Sequence, residues 1–208
     1  MDDISLVEVP CIPALFPAAT EAANELDASA ATETGDIRTD DAFEEQWQVS
    51  ISLLSARLRK QDPVPLLINQ IQELEGGTGD NRALFTVLTE LYVNALDHGV
   101  LELDSTLKSD AEGFSRYFAE RERRLECLNH GSVLFDIHGE RRGGERRLRI
   151  RVEDSGKGFN HSVLSGRSDF NDPTRLHGRG ILLLRRLCES VSYHGRGNVA
   201  EVVYKLKP

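Results

Sequence analysis

The sequence predicts an α/β two-layer sandwich: a mixed, largely antiparallel sheet with helices on one face. Three observations predict it. Stretches that alternate apolar and polar residues, as half-buried strands do, occur once near residue 50 and four times after residue 130. Stretches with an apolar residue every three or four positions, as amphipathic helices have, lie between them. The resulting order of strand, three helices, hairpin, loop, helix and hairpin favours one sheet covered on one side.

The first elements are predicted as one strand followed by two helices. The strand spans residues 44–54, where four apolar residues alternate with polar ones: Trp47, Val49, Ile51 and Leu53. A helix then begins at Pro65 and ends at the glycines 76 and 77. Asp80 is placed to cap the next helix, which Gly99 ends. One apolar stripe of this second helix is predicted to face the core: Leu84, Leu88, Leu91 and Ala95.

The remaining elements are a charged helix, two hairpins and one more helix. Residues 109–128 form the charged helix, with four large apolar residues on or near one side: Phe114, Tyr117, Phe118 and Leu125. Strands over 132–138 and 146–154 form the first hairpin through a glycine turn. Residues 178–190 form a helix that opens with glycines. The second hairpin turns at residues 196 and 197.

The N-terminal segment differs in composition from the rest of the chain. Residues 1–45 contain twelve acidic residues and one basic residue, Arg38, a net charge of −11, whereas the other residues together carry +2. Residues 1–9 are predicted as a short strand and residues 10–42 as an acidic linker, since too few large apolar residues are present to offset the entropy of ordering. The folded domain is predicted over residues 43–208.

Bulk composition excludes several classes of protein. No apolar run approaches the roughly 20 residues of a membrane helix, and the acidic residues after Met1 do not fit a secretory signal. The three cysteines are far apart and provide neither a metal-binding spacing nor a disulfide framework, which favours the reducing cytoplasm. The nearly neutral body argues against non-specific nucleic-acid binding.

Glu90 and Asn94 form the first pattern with chemical meaning. They are four residues apart on a predicted helix and therefore share one face. A carboxamide oxygen beside a carboxylate suits Mg²⁺, which keeps several waters and takes few protein ligands, with a base close by. The alternative is an exposed polar face of an amphipathic helix.

Asp154, Gly156 and Gly158 form the second pattern, at the end of a predicted strand. A carboxylate in that position can accept a hydrogen bond from an exocyclic amine such as that of adenine. Glycines leave space where a flat ring passes close to the backbone. The alternative is an ordinary Asp-Ser-Gly turn.

Residues 177–180, His-Gly-Arg-Gly, form the third pattern and open a helix. Free N–H groups and the positive end of the helix dipole bind anions there. The alternative is a glycine-rich loop that only joins two elements. Residues 160–176 are long for a plain connection and are predicted to be a lid over a ligand.

The order of these three patterns resembles that of the GHKL ATPase superfamily, which includes gyrase, chaperone, histidine kinase and mismatch-repair ATPases. The matching residues are Glu90, Asn94, Ala95, His98 and Gly99; Asp154, Gly156, Gly158 and Phe159; and Gly178 and Gly180. The resemblance runs from about Phe43 to the end of the chain and implies the Bergerat fold. Within the superfamily the sequence is most similar to anti-sigma-factor serine kinases, because residues 90–99 of this chain resemble the Mg²⁺ motif of those kinases.

The resemblance implies a role for each matching residue. Asn94 would coordinate Mg²⁺ that bridges the phosphates of ATP, and Glu90 would draw the proton from the acceptor hydroxyl or orient it. Asp154 would bind the adenine amine, with Gly156 and Gly158 close to the nucleotide. The other implied nucleotide-binding residues are Asp97, His98, Phe159, His177, Gly178, Arg179, Gly180 and Ile181.

Two segments depart from the compact kinases. Residues 103–130 are longer than those kinases need and resemble kinase domains fused behind a phosphatase in two-component response regulators. Residues 1–9 resemble the last strand of SpoIIE-type serine phosphatases. The resemblance therefore implies the C-terminal part of a receiver, phosphatase and kinase protein, and the alternative is an acidic tail that contains a strand.

The predicted function is an ATP-dependent serine/threonine kinase that phosphorylates a small anti-sigma-factor antagonist, with a sigma or anti-sigma factor as a further partner. One alternative is a nucleotide-gated binding module that sequesters its partner without obligatory phosphate transfer. Another is an ATP-driven conformational switch. No nucleic acid or membrane is expected as a partner, and the resemblance leaves a homodimer open.

Overall fold

The computed structural model describes residues 45–77, 81–104, 111–159 and 179–207, all of which belong to one compact unit, Arg38–Pro208. The predictions of a strand over residues 1–9, a linker over 10–42, a cap at Asp80 and a lid over 160–176 lie outside the described residues.

The described strands form one sheet in the order β1-β2-β3-β5-β4. They are β1 (Glu45–Leu54), β2 (Ser132–Arg142), β3 (Glu145–Asp154), β4 (Ser190–His194) and β5 (Val199–Lys205). The predicted fold class is confirmed, but the prediction of a mixed sheet is wrong for the described residues, because all four pairings are antiparallel. Leu54 at the end of β1 pairs with Ser132 at the start of β2. The long connection between these two strands therefore begins and ends at the same end of the sheet.

Both predicted hairpins are present. The strands β2 and β3 extend further than predicted, up to a turn at Gly143 and Gly144, whose φ values are +57° and +77°. Two consecutive left-handed residues are what a tight two-residue hairpin turn requires, and glycine adopts that conformation without strain. The second hairpin joins β4 to β5.

The described helices are α1 (Ser55–Leu58), α2 (Val64–Leu74), α3 (Arg82–Val93), α4 (Ala111–Glu126) and α5 (Arg179–Leu187). The helix α2 begins one residue before the predicted Pro65, and Asp62 Oδ1 accepts a hydrogen bond of 2.9 Å from the Val64 N–H. The predicted stripe of α3 is buried, and its continuation through Ala95 is a π-helix, Asn94–Val100, rather than α-helix. No helix within these ranges is long and apolar enough to cross a membrane.

The core lies between one face of the sheet and the helices. Buried side chains alternate along β2 and β3, and directly paired residues such as Phe135 and Val152 pack side by side. Burying each large apolar side chain contributes about 1.5–3 kcal/mol, so this face drives the docking of α2 and α3. Gly139 lies under the indole of Trp47, whose Nε1 donates to Glu75 Oε1 at 2.8 Å.

The opposite face of the sheet is polar. Arg149 lies 4.0 Å from Glu140 and 3.9 Å from Glu201, each on a neighbouring strand. Arg151 forms an ion pair of 3.0 Å with Glu153. Arg149 and Arg151 therefore belong to a solvated, charge-paired face, and such exposed pairs contribute little to stability, about 0–1 kcal/mol each.

Helix α4 buries less of its predicted apolar side than the sequence predicted. Tyr117 is buried, whereas Phe114 and Phe118 are each about half exposed and lie against each other edge to face, 4.8 Å between ring centroids. Sequence periodicity overestimated the width of the buried face, because only the side that carries Tyr117 contacts the domain.

Candidate nucleotide-binding site

Glu90 and Asn94 lie where α3 passes into the π-helix. The Asn94 N–H bonds with the carbonyls of both Glu90 and Leu91, and further on the Leu101 N–H donates to Leu96 O at 2.8 Å. The wider repeat of a π-helix turns the following side chains relative to those of the α-helix, and such bulges are frequent at functional sites. The change of helix type therefore occurs at the predicted metal-binding residue.

Gly180, in the first turn of α5, lies against these two side chains. A β-carbon added to Gly180 would be 2.3 Å from Glu90 Oε2 and 3.9 Å from Asn94 Nδ2. The structure thus brings together three residues that the sequence predicted to share a site. Ile181, the next residue, is partly buried.

Asp154 ends β3 and is held firmly. Its Oδ1 accepts a hydrogen bond of 2.8 Å from the Gly156 N–H. Its main chain is bonded to Asn198 in both directions, with the Asp154 N–H donating to Asn198 O at 2.9 Å and Asn198 Nδ2 donating to Asp154 O at 2.8 Å. Burial raises the pKa of the Asp154 carboxyl to about 6, although the Gly156 N–H and the nearby Arg196 act to lower it.

Gly99, at the other end of the π-helix from Asn94, contacts two residues of the second pattern, Asp154 and Gly156. A β-carbon on Gly99 would lie 2.4 Å from Asp154 Cγ, and one on Gly156 would lie 2.2 Å from Gly99 O. No residue with a side chain fits at either position in this arrangement. The π-helix therefore connects the Asn94 end of the site to the Asp154 end.

Gly158 and Phe159 contact the second hairpin. Gly158 has a φ of +75°, and a β-carbon there would lie 2.2 Å from Arg196 O. The Phe159 ring packs edge-on against Tyr193, 5.2 Å between centroids, and Phe159 is 41 % exposed. The backbone of Arg196 accounts for a glycine at 158 without a ligand, so nucleotide contacts of Gly158 and Phe159 stay predictions.

The family of this chain follows from its similarity to a known domain. Residues 56–204 match the family model of the histidine kinase-like ATPase domain. The chain belongs to this family. No curated protein matches it. The predictions of a GHKL-type fold and an ATP-using domain are confirmed, whereas the narrower likeness to anti-sigma-factor kinases and the fusion to receiver and phosphatase domains stay predictions.

Two predicted nucleotide ligands of the ATPase domain, Asp97 and His98, have protein partners in the structure, and their nucleotide contacts stay predictions. The Asp97 carboxylate is 3 % exposed and accepts hydrogen bonds from Tyr117 OH and Arg121 Nε, each at 2.7 Å. His98 Nδ1 donates to Leu103 O at 2.8 Å. Both side chains fix the backbone around the π-helix, so these contacts describe structural roles.

A cleft of about 400 Å³ borders the Asp154 end of the ATPase domain. Its lining includes Gly131, Ser155, Gly156, Lys157 and Arg196. Lys157 Nζ lies 2.8 Å from Glu102 Oε2, and Arg196 Nε donates to Gly156 O at 3.1 Å. The basic side chains of Lys157 and Arg196 are therefore already bonded within the protein.

The third pattern is only partly described. Arg179 is the first residue of α5, but His177, Gly178 and the Arg179 side chain lie outside the described residues. Their phosphate contacts stay predictions.

Sequence reasoning missed three residues that hold the site: Asn198, Tyr117 and Arg121. The spacing of four between Tyr117 and Arg121 places them on one helix face, which could have indicated a shared partner. Asn198 lies in a hairpin turn and gave no comparable signal.

Proposed function

We propose that this domain binds ATP with Mg²⁺ and transfers the γ-phosphoryl group to a serine or threonine hydroxyl of a small protein that antagonises an anti-sigma factor. The observation that carries the proposal is the convergence of Glu90, Asn94 and Gly180 at one end of the π-helix, with Asp154 and Gly99 at the other. Phosphoryl transfer needs positioning and charge neutralisation more than covalent help; this arrangement would position the nucleotide, and Mg²⁺ held by Asn94 would neutralise charge.

Adenine would be recognised at the Asp154 end. The Gly156 N–H occupies Oδ1 of the carboxylate, so Oδ2 can accept a hydrogen bond from the exocyclic amine. The glycines at 99 and 156 let the π-helix pack directly against Asp154 and Gly156, because a β-carbon on either glycine would overlap that contact. A guanine base presents a carbonyl oxygen at the corresponding position, which a carboxylate repels.

The triphosphate would lie at the Asn94 end. The carboxamide oxygen of Asn94 suits Mg²⁺, which would neutralise charge on the phosphate oxygens. The described residues contain no group of three or more His, Cys, Asp or Glu side chains able to hold a metal. A single protein oxygen fits an ion whose other ligands are water and phosphate. Gly180, which has no side chain, brings the first turn of α5 against Glu90 at this end of the site, where the N–H groups of that turn would bind phosphate oxygens.

Glu90 is the proposed base. It lies one helical turn before Asn94 and beside Gly180, so its carboxylate borders the place where the γ-phosphate would lie. From there it can accept the proton of a hydroxyl that attacks the phosphorus, or orient that hydroxyl.

Labelled ATP with Mg²⁺ and purified candidate antagonists test the proposal. The wild-type chain is expected to label the antagonist, and Glu90→Gln to bind nucleotide normally but lose transfer. Glu73→Gln, an exposed position on α2, is the matched control and should transfer normally. Equal transfer by wild type and Glu90→Gln would remove Glu90 from this role. An ATP-dependent complex without any transfer would favour the sequestering module.

A further inference from the structure

We propose that Tyr117 and Arg121, on helix α4, are positioning residues for the nucleotide pocket. They hold the carboxylate of Asp97 and thereby set where the π-helix places Gly99 against Asp154. The inference rests on the proposed nucleotide site, and it gives helix α4 a function in nucleotide affinity.

The first step is the burial of the Asp97 carboxylate with two donors. Tyr117 OH donates to Oδ2 and Arg121 Nε to Oδ1, each at 2.7 Å. Tyr117 is itself only 1 % exposed. Burial and the bond to Asp97 raise the pKa of the Tyr117 hydroxyl, so it stays a donor throughout the physiological range. A buried carboxylate that loses one partner is strongly unfavourable, so the pair fixes the Asp97 position.

The second step connects Asp97 to the pocket. Asp97 lies inside the π-helix, between Asn94 and Gly99. Its carbonyl accepts a hydrogen bond of 2.7 Å from the Leu103 N–H, which ties the segment that leaves the π-helix back to Asp97. Gly99 packs closely against the Asp154 carboxylate, since a β-carbon on Gly99 would lie 2.4 Å from Oδ1. A displacement of Asp97 therefore reaches the adenine-binding end.

The third step is a second attachment of α4 to the same segment. Arg124 Nη1 donates to the carbonyls of Leu101 and Glu102, at 2.7 and 2.9 Å. Glu102 has a φ of +51°, a left-handed conformation that a residue with a side chain adopts at some cost and that its surroundings must hold. Glu120 in turn accepts from Arg124 Nε at 2.6 Å, which keeps the arginine in place. Helix α4 thus holds the π-helix and its exit at separate points.

The experiment measures affinity for Mg-ADP and for adenosine by titration calorimetry. The variants are Tyr117→Phe, which removes one hydroxyl at constant shape, and Arg121→Gln. The control is Arg116→Gln, on the same helix, because Arg116 is exposed and takes no part in the contacts with the π-helix described above. All proteins are compared at a temperature where circular dichroism shows them folded.

Both test variants are expected to lose about tenfold in affinity. The loss should be equal for adenosine and Mg-ADP, since the affected contact is at the base end. Arg121→Lys, which keeps the charge, should recover part of the affinity, and Arg116→Gln should bind as wild type does.

The outcomes separate this inference from the proposed function. Wild type that binds neither probe overturns both. Wild-type binding with unchanged affinity in Tyr117→Phe and Arg121→Gln overturns the inference alone. An equal loss in Arg121→Lys and Arg121→Gln that follows their thermal stability also overturns it, because it would reflect a purely structural role.

Discussion

Gly99 lies so close to the carboxylate of Asp154 that a β-carbon on Gly99 would be 2.4 Å from both Cγ and Oδ1. The carbonyl of Gly99 makes the same close approach to Gly156, with 2.2 Å to an added β-carbon. Two segments that are far apart in sequence therefore pack backbone to backbone at the base end of the site. This contact requires glycine at both 99 and 156, independently of any ligand.

The first prediction concerns Gly99→Ala. The new methyl group must displace a half-buried carboxylate that accepts a hydrogen bond from the Gly156 N–H, on a residue whose main-chain carbonyl accepts from Asn198 Nδ2, so the pocket is distorted. We expect adenosine and Mg-ADP binding to become undetectable by calorimetry, and the free energy of unfolding to fall by about 1–3 kcal/mol.

The control for this prediction is Gly143→Ala in the first hairpin turn. Gly143 has a φ of +57°, and nothing lies within 4 Å of an added β-carbon. This variant should cost stability through backbone strain alone and leave binding intact. Normal binding by Gly99→Ala would show that the contact with Asp154 is not what shapes the pocket.

The second prediction is that Asp154→Asn stabilises the nucleotide-free domain. Burial raises the pKa of this carboxyl from its ordinary 3.8 to about 6, so the folded state disfavours the ionised form. Above that pH, asparagine removes a penalty on the order of 1–3 kcal/mol while its own Oδ1 can still accept from the Gly156 N–H.

The pH dependence of this effect follows from the direction of the pKa shift. Between the two pKa values the folded protein binds a proton that the unfolded chain does not, so wild-type stability falls as the pH rises through this window. The advantage of Asp154→Asn should be complete above about pH 7 and disappear toward about pH 4. Urea unfolding at several pH values measures it, and a constant difference between variant and wild type would contradict it.

The third prediction is that adenosine binding weakens in acid. The Asp154 carboxylate accepts the proposed hydrogen bond best when ionised, so affinity should be constant above about pH 7 and fall about tenfold by about pH 5. Adenosine is the suitable probe because it has no phosphate that titrates in this range. Asp154→Asn should show weak binding without this pH dependence, and a flat wild-type profile would exclude the ionised carboxylate as the acceptor.

The sequence predicted the elements and the main site residues for physical reasons. Period-two alternation predicted β1 and its neighbours because burial on one face imposes that period, and the stripe through Leu84 and Leu91 predicted the buried face of α3 in the same way. The proximity of Glu90 and Asn94 followed from helix geometry alone. Each of these patterns depends only on residues that are close together in the sequence.

Other features depend on contacts between distant segments and could not be predicted in this way. Nothing near Asp97 indicates that Tyr117 and Arg121 bury it, since the pairing depends on where α4 docks. The π-helix over Asn94–Val100 likewise had no recognised signal in the sequence. Phe114 and Phe118 were predicted to lie on or near the buried side of α4, but each is about half exposed. Periodicity does not say how much of a helix is covered.

The fourth prediction concerns Gly180→Ala. An added methyl group would lie 2.3 Å from Glu90 Oε2, and a glutamate carboxylate can swing aside, so the fold should survive. Alanine is also the better helix residue by up to about 1 kcal/mol, so thermal stability should be equal or higher. Phosphoryl transfer should fall by about tenfold to a hundredfold, because the base is displaced.

A double-mutant cycle with Glu90→Gln checks this assignment. In the Glu90→Gln background, Gly180→Ala should cause no further loss of transfer, since the displaced group no longer acts. Full additivity of the two losses would place the effect of Gly180→Ala elsewhere, for example at the phosphates.

The fifth prediction tests the fold away from the site. In Gly139→Ala, the new β-carbon would lie 2.0 Å from Cε2 of Trp47, so the indole must leave its place and lose the bond from Nε1 to Glu75. We expect a loss of about 1–3 kcal/mol in the free energy of unfolding. Trp47 is the only tryptophan of the chain, so a red shift of the fluorescence emission reports its displacement directly. Mg-ADP affinity should be unchanged, because Gly139 pairs with Leu148, far along β2 from Ser132 and the base end of the site.

Trp47→Phe places a smaller ring over Gly139, so the double variant should lose less stability than the sum of the two single changes. A Gly139→Ala protein with wild-type emission and stability would mean that the indole does not lie over Gly139.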